Sequence, residues 1–368
     1  MAPVISTNLT KLLKIQHPVM CAGMGGITHH DLVAAVSNAG GIGTVGAIGL
    51  DPEGLREEIR MCKERLKPGT PFGVDLLLPK VGKGARKTNK DYTGGKLEQF
   101  VNIMIEEKVP LFVCAVGVPP QWVCEKLHAN GIVIMNMVGS PKHVPGALKA
   151  GCDIICAQGT EAGGHTGDIS TLVLVPQCVD LCKGHQNYFG TEVAVVAAGG
   201  ICDGRGLAAA LSLGAQGVWC GTCFLATPEA NCEDRYKEQL LLKESHQTVR
   251  TLIYSGRPMR VARNAVINKW EGERRAEMEE LLKSGTIPLA VEMAERGEIK
   301  VPFSGTLNRV TNRNDLNHLY DPDLMNLMMG QICGAITKIR PAATIVQDMV
   351  TTAHEAINRN SSFIQSRL

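Results

Sequence analysis

The densest cluster of chemically capable side chains lies in AQGTEAGGHTGD, residues 157–168, where Gln158, Glu161, His165 and Asp168 stand among four glycines. His165 sits between Gly164 and Thr166, a setting unlike that of a packed core histidine. An imidazole there can take or give a proton near neutral pH; the alternative is a structural loop histidine. Two further segments suit an anion. In AAGGICDGRG (197–206), Gly199 and Gly200 end an apolar run just before a helical pattern. Their amides, with the helix N-terminus behind them, can face a phosphate unobstructed. In CGTCF (220–224), Gly221 and Thr222 add another amide and a hydroxyl. Tight turns without a ligand are the plainer reading of either pair alone.

The segment CAGMGGITHHD (21–31) lets something flat lie against the backbone at Gly23, with Met24 either packing on it or filling core. Asp75 interrupts the apolar run FGVDLLL, as a ligand contact or a cap-like partner. His29 and His30 are weaker candidates, one of them a cap for the helix near Asp31. Cys220 and Cys223 have local metal spacing, but no second Cys/His pair completes a tetrahedral set, so no metal is expected. No Gly-x-Ser-x-Gly elbow occurs, and the first glycine-rich turn lacks the acidic residue of a dinucleotide fingerprint.

Eight apolar runs must position these groups: 17–23, 41–47, 72–78, 111–117, 132–138, 153–159, 193–199 and 217–224. Continuous apolar strands suit a parallel sheet buried on both faces. Helical patterns lie between them, including 31–40, 52–66, KLEQFVNIMIEEK, PQWVCEKLHANG, PKHVPGALKAG and GRGLAAALSLGA. Strand–helix alternation repeated eight times predicts an α/β protein, a (β/α)8 TIM barrel, with an open doubly wound sheet as the rival. In a barrel the active site lies at the C-terminal strand ends, and a phosphate sits after strands seven and eight, where both glycine pairs fall. The pattern changes after residue 225. A helix over 228–246, the segment 255–264, a charged helix over 270–285 and an Asn-rich loop over 304–320 predict a mostly helical insertion. The expected organisation is a phosphate-binding barrel over 1–230, a cap over 231–330 and a C-terminal helix over 331–368 that returns to the barrel. The basic stretch 80–95 follows the third strand, as a lid or as a plain solvated loop.

Composition narrows the class. Among 368 residues, 38 basic and 36 acidic side chains leave a net charge of only +2, so nucleic-acid binding finds no basic face. Thirteen cysteines, several inside strand-like runs, read as buried thiols in a reducing compartment. The first residues lack a signal-peptide core, and no eighteen-residue apolar run exists. A soluble cytoplasmic protein is expected.

In their order, CAGMGG, LVAAVSNAGGIG, FGVDLL, GTEAGGHTGD, AAGGICDGRGLAAALSLGAQGV, GTCFLATPEA, SGRPMRVARN and MGQICG resemble the nitronate monooxygenase (2-nitropropane dioxygenase-like) family. The resemblance covers most of the chain and implies an FMN barrel, with a helical substrate domain, that oxidises alkyl nitronates with O2. Carried over by position, Ala22, Gly23 and Met24 flank the flavin ring and Gln158 contacts it. Gly163 and Gly164 join Asp75 in the cofactor site, Gly199–Gly200 and Gly221–Thr222 bind the phosphate, and Gln331 approaches from the C-terminal segment. His165 becomes the catalytic base or the group that stabilises an anion. Many members carry Asn where this chain has Asp75, which places it in a less typical branch. An NAD(P)H-dependent flavin enoyl-thioester reductase, acting on a carrier-protein or CoA substrate, stays open; Lys80, Lys83, Arg86, Lys87 and Lys90 would then meet the carrier's phosphates. A phosphate-ligand barrel without flavin and a flavin-binding protein without turnover also stay open. An apolar helix over 324–337 is read as exposed, hinting at a homodimer.

Overall fold

The computed structural model describes residues 4–296 and 325–363. Eight parallel strands close a barrel: β1 Val19–Cys21, β2 Ile42–Gly46, β3 Gly73–Leu77, β4 Leu111–Ala115, β5 Val133–Val138, β6 Ile154–Gln158, β8 Ala194–Ala198 and β9 Gly217–Cys220. The short strand β7, Gly164–His165, leaves the barrel between β6 and β8. The open-sheet rival is excluded by the pairing of β1 with β9, Met20 opposite Trp219.

Strand alternation divides the core in two. Met20, Ile42, Val113, Met135, Cys156, Val196 and Trp219 pack together inside the barrel, over Leu9 and Leu13 of the N-terminal helix Asn8–Leu13. Their neighbours Val19, Val45, Val74, Cys114, Ile134 and Ala197 face the surrounding helices. Small side chains on β8 suit a strand pressed from both sides. The helices carry ordinary boundary chemistry: Asp51 caps helix Pro52–Arg65 through the amide of Gly54, with Pro52 in the first turn.

Several elements differ from their sequence patterns. The run 217–224 is a strand only to Cys220, and Thr222–Leu225 is already helical. The helix expected over 228–246 is confined to Asp234–Leu242. The one expected over 270–285 is two helices, Ala265–Glu271 and Arg275–Ser284, separated at Gly272. Helix Thr171–Cys182 has no match among the expected helical patterns; Pro176 and an apolar sequence hide its period. The expected loop 304–320 lies outside the described residues.

The insertion is helical but also contains strands β10 Thr248–Thr251 and β11 Met259–Ala262. They form an antiparallel sheet in the order β10-β11-β7, with Met259 opposite His165. This unit has its own core of Ile253, Met259, Val261, Ile267, Trp270 and Met278. The segment read as an exposed apolar helix is instead packed. Leu327, Met329 and Cys333 are buried, and among the described residues of this segment only Gln331–Ala335 is helical, as a 3-10 turn. Its apolar side chains are spent on an internal contact with Leu225, Ala226, Leu240 and Ala262. Helix Ala342–Ser361 then returns to helix Gly204–Ser212, where the Gly204 amide donates to Thr352 Oγ1 at 3.1 Å.

Candidate active site

A cavity of about 1660 Å³ opens at the C-terminal ends of the barrel strands and is roofed by the insertion. Ala22, Gly23, Met24, Asp75, Gln158, Gly163, Gly164, His165, Gly199, Gly200, Gly221 and Thr222 all line it. Of the sequence-derived residues, Gln331 is not among the lining ones. Its amide donates to the Glu161 carbonyl at 2.9 Å, while its neighbours Gly330 and Ile332 reach the wall.

The turn after β1 is braced by one hydroxyl. Thr28 Oγ1 donates to the Ala22 carbonyl at 2.7 Å and accepts from the Met24 amide at 3.1 Å. A Cβ on Gly23 would come within 2.5 Å of Asp75 Cβ, so the glycine is what lets this turn lie against β3. Gly199 and Gly200 both have left-handed φ, 97° and 72°, a conformation that favours glycine. The first-turn amides of the following helix do not face a ligand: Asp203 accepts from the amides of Arg205 and Gly206. An anion placed there would meet the glycine pairs themselves. Thr222 Oγ1 accepts from the Gly330 amide at 3.0 Å, which ties the C-terminal segment to this turn and leaves the hydroxyl proton to donate.

The polar cluster after β6 divides into structural and cavity roles. The Glu161 carboxylate accepts from the amide and hydroxyl of Thr171, so it caps helix Thr171–Cys182. Gln158 Nε2 donates to the His165 carbonyl at 2.5 Å and fixes the strand that carries the imidazole. His165 Nε2 lies 2.9 Å from Ser255 Oγ. Burial, then the nearby Arg257 charge, pushes the imidazole down to about 4. At neutral pH it is uncharged, which disfavours the histidinium form of the anion-stabilising role.

Sequence reasoning passed over Arg257, which lay in a quoted segment without a role of its own. Its guanidinium donates to Asn89 Oδ1 at 3.1 Å and to the Val116 carbonyl at 3.3 Å. No carboxylate pairs with it among the described residues, and burial together with Arg86 lowers its pKa. Its signal was a cation between Gly256 and Pro258, just before an apolar strand. Val116 has φ 71°, an outlier for a β-branched residue, at the cavity wall. The basic stretch 80–95 folds over the cavity: Arg86 donates to the Gly256 carbonyl, and residues 86–92 join the lining. His29 and His30 lie outside the lining and both bond Glu58. That carboxylate also accepts the His30 amide, so Glu58, rather than either histidine side chain, supplies the cap of helix His30–Asn38.

A flavin mononucleotide fits this donor set. A phosphate would meet the left-handed glycines and the Gly221–Thr222 turn, and a planar ring would meet the Ala22–Met24 backbone. The buried Asp75 Oδ1 has no hydrogen-bond partner among the described residues, which leaves a polar group of the cavity wall for a ligand to satisfy.

The nitronate monooxygenase family model matches residues 6–352. The chain belongs to the nitronate monooxygenase family. As a member of that family it is a flavin-dependent oxidoreductase. It is 35% identical to a probable nitronate monooxygenase of Staphylococcus saprophyticus, over 72% of this chain and 81% of the relative. It is also 35% identical to the (3aS,4S,5R,7aS)-5-hydroxy-7a-methyl-1-oxo-octahydro-1H-indene-4-carboxyl-CoA dehydrogenase of Mycobacterium tuberculosis, over 74% and 70% of the two chains. Among solved structures, FabK from Thermotoga maritima superposes with a TM-score of 0.74 at 31% identity, covering 98% of this chain and all of that one. Among the described residues of this family member, no helix is long and apolar enough to cross a membrane.

Proposed function

We propose that the protein is an FMN-dependent nitronate monooxygenase that takes alkyl nitronates and O2. The observation that carries this reading is that a half-buried, uncharged His165 and the Arg257 guanidinium line one cavity. In this reading residues 1–230 form the cofactor barrel, 231–330 the substrate cap and 331–368 the returning segment. Gly199, Gly200, Gly221 and Thr222 hold the phosphate. Ala22, Gly23, Met24, Asp75, Gln158, Gly163 and Gly164 hold the ring. When bound, FMN supplies a two-electron acceptor that can be reoxidised by O2.

Arg257 offers a half-buried positive charge to an anionic substrate, worth more here than at a surface. Ser255 and Gln158 hold His165 in place from two sides. An imidazole with its pKa pushed to about 4 is a weak base, poorly matched to the α-proton of a neutral nitroalkane. A nitronate arrives already deprotonated and asks only for hydrogen bonding and charge.

A second reading is an NAD(P)H-dependent reductase of unsaturated thioesters. It is favoured by the cations Arg86, Lys87, Lys90 and Lys142 along the cavity, which suit a carrier's phosphates. Anaerobic mixing of FMN-loaded protein with propyl-2-nitronate, NADH or NADPH separates the two. Bleaching by nitronate alone, reversed by oxygen, is the expected result. Bleaching by a nicotinamide alone would replace the first reading with the second.

A further inference from the structure

Asp75 stands in β3 between Val74 and Leu76, both of which pack outward against the helices. Strand alternation therefore turns its carboxyl into the barrel, at the cavity end. Only 6% of the residue is exposed. Its strand neighbours in register are Gly46 on β2 and Val113 on β4. From the β1 side it meets Gly23, whose substitution would place a Cβ 2.9 Å from Asp75 Oδ2. The titratable groups close enough to feel its charge are the thiols of Cys114 and Cys156, both neutral because burial pushes them far up. No cation pairs with it among the described residues, and Oδ1 accepts no hydrogen bond there.

A carboxylate held like this would be a buried charge with neither counter-ion nor donor, which is strongly unfavourable. The protonated acid removes that cost and gains something an anion lacks, an O–H to donate. Burial accordingly raises the pKa of Asp75 well above the usual carboxylate range. Resting on the flavin reading above, we infer that Asp75 is a neutral hydrogen-bond donor to a carbonyl-type acceptor on the bound flavin ring. A neutral donor favours negative charge on the reduced ring, whereas a carboxylate at the same place opposes it. The sign of the effect of Asp75 on the cofactor therefore reports its protonation state.

The test uses the full chain loaded with FMN, with D75N and D75L variants checked for folding by circular dichroism. Affinities for oxidised and reduced FMN, and the midpoint potential, are measured at pH 7. Asn keeps a neutral donor, so D75N should change the reduced-to-oxidised preference by less than about threefold, or about 15 mV for a two-electron couple. D75L should bind FMN about tenfold more weakly, the loss of one buried hydrogen bond. A tenfold or larger gain in reduced-flavin preference in D75N, about 30 mV upward, would show that the native group is a carboxylate and overturn the inference. So would a folded D75L that binds FMN as tightly as the native chain. If D75L fails to fold, D75N decides alone. A native protein that takes up no FMN and stays colourless sinks the flavin reading itself.

Discussion

At neutral pH His165 is an uncharged imidazole, because burial and Arg257 both work against its proton. Its contribution to stability follows in sign. The folded group binds a proton only near pH 4, whereas the unfolded one binds it near pH 6.5. Stability from this residue is intact above about pH 6.5 and is lost as pH falls toward 4, by at most about 3 kcal/mol. In melts at each pH, the stability of the native chain relative to H165Q should fall as pH drops from 7 to 4. In the nitronate assay, kcat/KM should stay flat on account of His165 between pH 8 and 5. His165→Ala, which removes the hydrogen-bonding group, should lower it by about a hundredfold or more while FMN remains bound; full retention of turnover would remove His165 from the chemistry. Replacing Arg257 with Met should raise KM for an anionic nitronate at least tenfold, checked by steady-state kinetics. His165 was legible in the sequence because glycines isolate it. Arg257 was not, because nothing in a single polar turn says that its side chain will line the same cavity as an imidazole far upstream.

Among the elements, the barrel strands were legible and the insertion was not. Eight apolar runs bounded by glycine leave little choice of period, and all eight recur in the closed sheet. Strands β10 and β11 were missed because TVRT and MRVA are only four residues each, too short to show a two-residue alternation, and each carries an arginine mid-strand. Helix Thr171–Cys182 was missed for the opposite reason, a sequence too uniformly apolar to show a face. The return of the last helix to the barrel was expected from the sequence, but the glycine that admits it was not singled out. A Cβ on Gly204 would lie 2.1 Å from the Ala353 amide nitrogen and 2.4 Å from the Met349 carbonyl oxygen, both main-chain atoms that cannot turn away. Gly204→Ala should therefore push helix Ala342–Ser361 off the barrel and destabilise the protein by about 2–4 kcal/mol, as other overpacked sites do. A chemical denaturation midpoint equal to the native one would contradict that packing.

For the whole molecule, three arginines fasten the small sheet to the barrel mouth through main-chain carbonyls. Arg250 reaches Gly167 at 2.6 Å, Arg257 reaches Val116 at 3.3 Å, and Arg260 reaches Thr160 at 2.7 Å. Arg260 is buried and also bonds Thr248 Oγ1, so it ties β10, β11 and the loop after β6 together. Replacing it with Met leaves the Thr160 carbonyl without this partner. Amide exchange across 248–262 should then quicken while the barrel strands keep their protection; uniform loosening of both would mean the two parts open as one.

Strand β7 gives this arrangement a further consequence. The chain delivers His165 from the barrel, yet its strand partner is Met259 of the insertion. The imidazole is thus shared property of two mechanical parts, and the aperture and the proposed catalytic group are geared to one another. An engineer who widens the mouth by loosening the insertion, to admit bulkier molecules, will detune the histidine with the same stroke. Enlargements that leave the Gly164–Arg260 and His165–Met259 pairings untouched are the ones in which scope and rate can be adjusted independently.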